Sequence, residues 1–119
     1  MAIPDTSPQA LRPIASLISK SEKAQRKLAP GTWQHAMLQD NLEALHMASA
    51  LLRGEIDDAK SIPQADLQKA LKAFASMIDR TAKSQEKFSP GTSQHTLQRN
   101  RLAALRTAEA RIQAGLGGH

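Results

Sequence analysis

Residues 30–35 read PGTWQH and residues 90–95 read PGTSQH, so one short phrase occurs twice at a separation of 60. With the same shift, residues 10–54 overlay residues 70–114, and 18 of the 45 positions are identical. An internal repeat defines the structural unit of a fold, so it is examined before other sequence features. Duplication is the simplest interpretation, and it makes each copy one structural unit of the fold.

Each copy reads as a helix, a tight turn and a second helix. Apolar residues of the first helices recur four and three apart, which places them on one helical face. They are Leu11, Ile14 and Ile18 in one copy and Leu67, Leu71, Phe74 and Ile78 in the other. The second helices carry Met37, Leu42, Leu45, Ala48 and Leu52, then Leu97, Leu102, Leu105, Ala108 and Ile112.

The proline-glycine pair of each phrase predicts the end of the first helix. Proline restrains the residue before it, and glycine permits dihedral angles that other residues avoid. The threonine that follows can cap the next helix with its side-chain oxygen, and the residue before the proline is the alternative cap.

Other helix ends carry weaker signals. Gly54 and Gly115 stand where C-terminal glycines belong, and residues 61–64 resemble a capping box. Pro13 requires the first helix either to start late, near Arg12, or to bend where an intrahelical hydrogen bond is missing.

Four apolar stripes are buried most economically in an antiparallel four-helix bundle with approximate internal twofold symmetry. We therefore predict an all-α fold in which tandem duplicated helical hairpins form one domain over residues 1–119. The two repeats span about 4–54 and 62–115, and residues 55–61 link them. A looser pair of hairpins completed by dimerisation is the alternative.

Composition narrows the classes of function. The chain of 119 residues has no cysteine, and no apolar run approaches the roughly 18 residues of a membrane span, so we expect a cytoplasmic protein without membrane contact. Its net charge of +5 comes from residues 61–119, which hold nine basic and four acidic residues. Only three aromatic residues are present, whereas single-strand nucleic-acid binders use aromatic stacking platforms.

The apolar stripe of each first helix becomes polar as it approaches the turn. A helix rises about 1.5 Å per residue, so Gln25 lies as far before its turn as Gln34 and His35 lie after theirs. These groups form either a polar clamp that fixes the turn or a small pocket for a ligand or metal. The candidates in both copies are Gln25, Gln34, His35, Gln85, Gln94 and His95.

Two further features are candidate contact surfaces. A basic stripe with spacing i, i+3 and i+7 runs along each first helix, and it is either an anion-contacting surface or a solvated face. Its residues are Lys20, Lys23, Lys27, Arg80, Lys83 and Lys87. Trp33, matched by Ser93, is either an anchor for a partner or a lid over the end of the core.

No catalytic triad, glycine-rich phosphate loop or spaced carboxylate pair is visible in the sequence. We therefore expect no enzymatic activity, no cofactor and no bound metal. The leading hypothesis is a module that binds a protein partner or itself, with a homodimer possible. Weak nucleic-acid or polyanion binding through the basic stripes is the alternative, and a small-molecule or metal site at the His-bearing turns is the second alternative.

Overall fold

The computed structural model of the protein describes residues 7–56 and 58–116. It contains four α-helices, and a short 3-10 turn precedes the third. They are α1 (Ser7–Arg26), α2 (Trp33–Leu52), the 3-10 turn (Ala59–Ser61), α3 (Gln64–Glu86) and α4 (Ser93–Leu116). The described part of the chain has no β-strand, and the predicted all-α four-helix bundle is confirmed.

The two PGT turns are built alike. Their glycines have φ angles of 92° and 91°, in the left-handed region that favours glycine. Thr32 Oγ1 accepts a hydrogen bond from the backbone N–H of His35 at 3.3 Å, and Thr92 Oγ1 accepts one from His95 at 3.2 Å. Threonine is therefore the cap in both copies, as the first of the two alternatives predicts.

One of the two alternatives for Pro13 is excluded, and the expected capping box before α3 is wrong. Helix α1 begins at Ser7 and continues through Pro13, so it does not start late. Residues 61–64 do not form a capping box, because Pro63 occupies the N-cap position of α3 without a side-chain hydrogen bond. The Ser61 hydroxyl instead donates to the backbone carbonyl of Asp58, the N-cap residue of the 3-10 turn.

The two glycines expected at helix C-termini have different roles. Gly54 follows α2 with a φ of 79°, as a C-terminal glycine does. Gly115 lies inside α4, where an added Cβ would be 2.8 Å from both the Cβ and the carbonyl oxygen of Ala59. Gly115 is therefore required by the close approach of α4 to the 3-10 turn rather than by backbone conformation.

The hydrophobic core lies in the parts of the helices that are remote from the PGT turns. The largest fully buried side chains come from the first halves of α1 and α3 and the second halves of α2 and α4. They are Ile14, Leu45, Leu67, Phe74, Leu105 and Ile112. Ile14 and Phe74 are 60 positions apart, as are Leu45 and Leu105, so both copies contribute matched positions to one core.

Each helix pair that shares a PGT turn packs together, and three further helix contacts join the pairs. Helix α1 packs against α4, and α2 packs against α3; α2 and α4 also contact each other. The molecule measures 42 × 39 × 21 Å, and its smallest dimension corresponds to two helix layers. We call the two lateral contacts the α1–α4 seam and the α2–α3 seam.

Candidate functional site

The polar residues at the PGT turns form hydrogen bonds across each helix pair, but in two different ways. Gln25 Nε2 donates to Gln39 Oε1 at 2.9 Å and to the His35 carbonyl oxygen at 3.4 Å. In the second copy, Gln85 Nε2 lies 3.4 Å from His95 Nε2. In the first copy the glutamine thus bonds to the backbone of its histidine, whereas in the second copy it bonds to the imidazole ring.

Two of the six candidate turn residues do not join these bonds. Gln34 is half-buried and Gln94 is exposed, and neither side chain makes a hydrogen bond within the described part of the chain. No cluster of three or more His, Cys, Asp or Glu residues forms among the described residues. The turns therefore lack the ligand number of a structural zinc site.

The basic stripe of the first copy lies in a depression between α1 and α4. Lys20, Lys23 and Lys27 line it together with Ser16 and Arg101, and its volume is about 760 Å³. None of these three lysines forms an ion pair with another described residue.

The basic stripe of the second copy is partly engaged within the protein. The Arg80 Nη2 atom contacts Met37 Sδ at 3.0 Å, and Lys83 Nζ pairs with Asp79 Oδ2 at 3.0 Å. Lys87 is exposed and occupies the C-cap position of α3. The matched stripes are therefore not equivalent, and the first has more uncompensated charge.

Two large apolar side chains are exposed among the residues that the structure describes. Trp33 is 68% exposed, so it does not cover the end of the core. Leu97 is 44% exposed, and its predicted place in the core stripe of α4 is wrong. The cause is its position near the PGT turn, beyond the half of α4 that packs in the core.

Leu97 lines a cavity of about 700 Å³ in the α1–α4 seam. Helix α1 contributes Pro8, Gln9, Ala10, Arg12, Pro13 and Ser16. Helix α4 contributes Leu97, Asn100, Arg101, Ala103, Ala104 and Thr107. The lining is mainly apolar and small, with two arginines and no carboxylate among the described residues.

The α2–α3 seam is closed by ion pairs. Lys69 Nζ lies 3.3 Å from Asp40 Oδ1 and 3.6 Å from Glu43 Oε1, and the cavity there measures about 180 Å³. The hydrogen bond to Asp40, followed by attraction to Asp40 and then Glu43, raises the pKa of Lys69 above its ordinary value. A charged lysine therefore bridges α3 to α2.

The two seams are built from matched positions. Seven residues line the α2–α3 cavity, and six of them, shifted by 60, line the α1–α4 cavity. The positions of the ion pairs carry uncharged residues in the α1–α4 seam, namely Gln9, Asn100 and Ala103. The seam that lacks the charged bridge is the one with the larger cavity.

Arg101 adds a second difference between the seams. Its Nε atom is buried and has no hydrogen-bond partner among the described residues. The matched position holds Asn41, a small polar residue that is 8% exposed. The cation at this point is therefore specific to the second copy and lies in the wall of the α1–α4 cavity.

This site was not predicted from the sequence. Arg101 is one of the nine basic residues counted in residues 61–119, and no role in a site was assigned to Gln9, Arg12, Asn100 or Ala103. The signal was present in the mismatches between copies, because three charged positions of one seam are uncharged in the other. The repeat is recognised from its identical positions, whereas the difference between the seams lies at positions that are not identical.

Comparison with protein-family models, with curated proteins and with solved structures finds no match to this chain. Within residues 7–56 and 58–116, none of the helices combines the length and apolar character needed to cross a membrane.

Proposed function

We propose that the protein is a non-enzymatic helical module that binds another protein in the α1–α4 seam. One observation carries the proposal: matched positions close the α2–α3 seam with ion pairs but leave a cavity of about 700 Å³ in the α1–α4 seam. The absence of cysteine from the chain supports a place in the cytoplasm.

The chemistry of the seam supports a protein partner. An apolar trough between two helices accepts the apolar face of a third helix, which is a recurring mode of recognition. The exposed Leu97 supplies apolar area at the edge of the trough, and Arg12 and Arg101 supply polar groups for orientation. Arginine is enriched among residues that dominate interface energetics.

The proposal is tested by transplanting the closed seam into the open one. The triple variant Gln9→Lys/Asn100→Asp/Ala103→Glu places the α2–α3 ion-pair residues at their matched positions. The reverse variant Lys69→Gln/Asp40→Asn/Glu43→Ala changes the same number of residues in the other seam and serves as the matched control. Circular dichroism and urea unfolding establish that both variants retain the fold.

The three proteins are immobilised, and proteins captured from an extract of the source cells are compared by mass spectrometry. We expect at least one protein that is captured by the unmodified chain and the control but lost with the seam-closing variant. Identical capture by all three proteins contradicts a role for the α1–α4 seam. Capture of nothing contradicts a stable protein partner.

Self-association is the second form of the same proposal. Light scattering across a dilution series measures it on the unmodified chain and the seam-closing variant. A dimer that dissociates on dilution and is weakened by the seam-closing variant identifies a second copy as the partner. A monomer throughout the series excludes this form.

Polyanion binding is a second candidate function, and the arrangement of Lys20, Lys23 and Lys27 beside Arg101 favours it. Affinity for nucleic acid through such contacts falls steeply with salt. The charge reversal Lys23→Glu/Lys27→Glu should then weaken binding more than Lys83→Glu/Lys87→Glu, since Lys83 is already paired with Asp79. No binding to DNA or RNA at low salt contradicts this candidate.

A further inference from the structure

The α1–α4 seam carries two neighbouring sections, which together we call the groove. The apolar section is the cavity that Pro8, Pro13 and Leu97 line, and the basic section is the depression beside the first lysine stripe. Ser16 and Arg101 line both sections, so the sections are adjacent at these residues. Between Pro8 and the end of α1 at Arg26 the groove follows the helix for about 27 Å, the length of a helix of about 18 residues.

The charge of the groove is of one sign. Arg12 and Arg101 line the apolar section, and three lysines line the basic section. Neither wall contains an aspartate or glutamate among the described residues. An occupant that lies along the whole groove must therefore carry negative charge to match it.

Arg101 is the most specific contact point. Its buried Nε–H lacks a partner among the described residues, at the junction of the two sections. A guanidinium group binds a carboxylate through two parallel N–H···O hydrogen bonds, one of which can come from Nε. A carboxylate at this junction would satisfy the unpaired donor.

The apolar section has space for larger side chains than its own. Ala10, Ala103 and Ala104 are small, and Leu97 remains exposed beside them. Since the described part of the chain offers no sheet edge, an extended peptide would find no backbone to pair with. A helix satisfies its own backbone and needs only a trough for one face.

Resting on the function proposed above, we propose that the occupant of the groove is an acidic amphipathic helix of a partner protein. Its apolar face packs in the apolar section, one carboxylate binds Arg101, and further carboxylates face Lys20, Lys23 and Lys27. The groove thereby selects both the charge and the apolar pattern of its partner.

The test uses synthetic peptides rather than an unidentified partner. The probe is a fluorescent alanine-based helical peptide of about 20 residues, with leucines spaced three and four apart and glutamates beside them. One control peptide has glutamine in place of glutamate. A second has the same composition in an order that destroys the apolar face. Binding to the full chain is measured by fluorescence anisotropy.

We expect the acidic peptide to bind at least about tenfold more tightly than either control peptide. Arg101→Asn, which introduces the residue of the matched position, should weaken it about tenfold, and Lys23→Glu/Lys27→Glu should weaken it further. Lys83→Glu/Lys87→Glu is the matched control and should change the affinity less than twofold, because it lies outside the groove.

Equal binding of the scrambled peptide, or equal competition by an oligonucleotide of the same charge, overturns the proposal in favour of polyanion binding. Absence of peptide binding also overturns it. Neither result decides the proposed function, because capture with the seam-closing variant tests a protein partner of any chemistry. If the seam-closing variant loses capture and the acidic peptide does not bind, the α1–α4 seam remains the proposed binding surface. An acidic helix is then rejected as its occupant.

Discussion

The α2–α3 seam and the α1–α4 seam each join the two copies through positions 60 apart, and they have opposite properties. In the first, Lys69 bridges to two carboxylates across a cavity of about 180 Å³. In the second, uncharged residues replace all three groups and the cavity is about 700 Å³. The core positions are thus alike in the two copies, whereas the two lateral contacts differ.

The shared core, rather than the charged residues of the seams, holds the four helices together. Leu45 and Leu105 are fully buried at matched positions, so both copies hold the helices in place from within. The seam residues Lys69, Asp40 and Glu43 are about half exposed, and exposed ion pairs contribute little to stability. We therefore expect their replacement to cost the fold little.

The largest expected effect comes from breaking the shared core at matched positions. Phe74→Ala should lower the free energy of unfolding by about 3–5 kcal/mol and Ile14→Ala by about 2–5 kcal/mol, because each leaves a cavity. Urea unfolding followed by circular dichroism measures both. A loss below about 1 kcal/mol at either position would contradict a core built equally from both copies.

A substitution at Gly115 should destabilise the fold at a contact that involves α4 and the 3-10 turn. Gly115→Ala places a Cβ against Ala59, and overpacking of this kind costs about 1–3 kcal/mol. The double variant Gly115→Ala/Ala59→Gly should recover part of the loss, since it removes the Cβ of Ala59, which is one of three atoms in close contact. Urea unfolding measures both variants, and a stabilising Gly115→Ala would refute the close approach.

The two PGT turns should lose similar stability when their capping threonines are removed, in contrast to the two seams, which differ from each other. Thr32→Ala and Thr92→Ala each remove a helix cap, and each should lower the free energy of unfolding by about 0.5–2 kcal/mol. The capping distances of 3.3 and 3.2 Å predict similar losses. Urea unfolding of the two single variants decides the point, and a neutral substitution in either copy would contradict the shared turn.

Much of the fold could be predicted from the sequence, for identifiable reasons. The PGT phrases define turns because proline, glycine and threonine each act locally, and the periodic apolar residues identify the buried faces. Local sequence patterns did not predict the role or burial of residues whose environment depends on contacts with distant parts of the chain. Gly115 is explained only by its contact with Ala59. Leu97 has the periodicity of a core residue, yet the packing of α1 and α4 leaves it exposed beside a cavity.

The candidate site was less accessible to sequence reasoning than the fold. The residues at the turns attracted attention because they repeat, yet the seams differ at positions that do not repeat. Knowing that Gln9, Asn100 and Ala103 face one groove required knowing which helices are neighbours. Four helices can be arranged in several ways, and the sequence pattern does not choose among them.

The smallest expected effect concerns the ion pair that closes the α2–α3 seam. Lys69→Gln introduces the residue found at the matched position and should lower the urea midpoint slightly at low salt, with the difference vanishing at high salt. Lys72→Gln, on the same helix but outside the pair, is the control. A large, salt-independent loss at Lys69 would contradict this account of a weak, exposed pair.

The same ion pair predicts the direction of a pH dependence. The pKa of Lys69 is raised above its ordinary value of 10.5, so the folded state holds the proton more tightly than the unfolded chain. Its contribution to stability is therefore fully present below pH 10.5 and is lost as the pH rises through the folded pKa. Urea midpoints of the unmodified chain and Lys69→Gln should converge above that pH. A difference that grows with pH would reverse the sign of this linkage.

The most direct test of the contrast between the seams is an NMR titration of the full chain with the acidic helical peptide. Backbone amide signals report which seam the peptide contacts. The account predicts shifts at Gln9, Asn100 and Ala103 and unchanged signals at their matched positions, Lys69, Asp40 and Glu43. Shifts confined to the α2–α3 seam, or equal shifts in both seams, would contradict it.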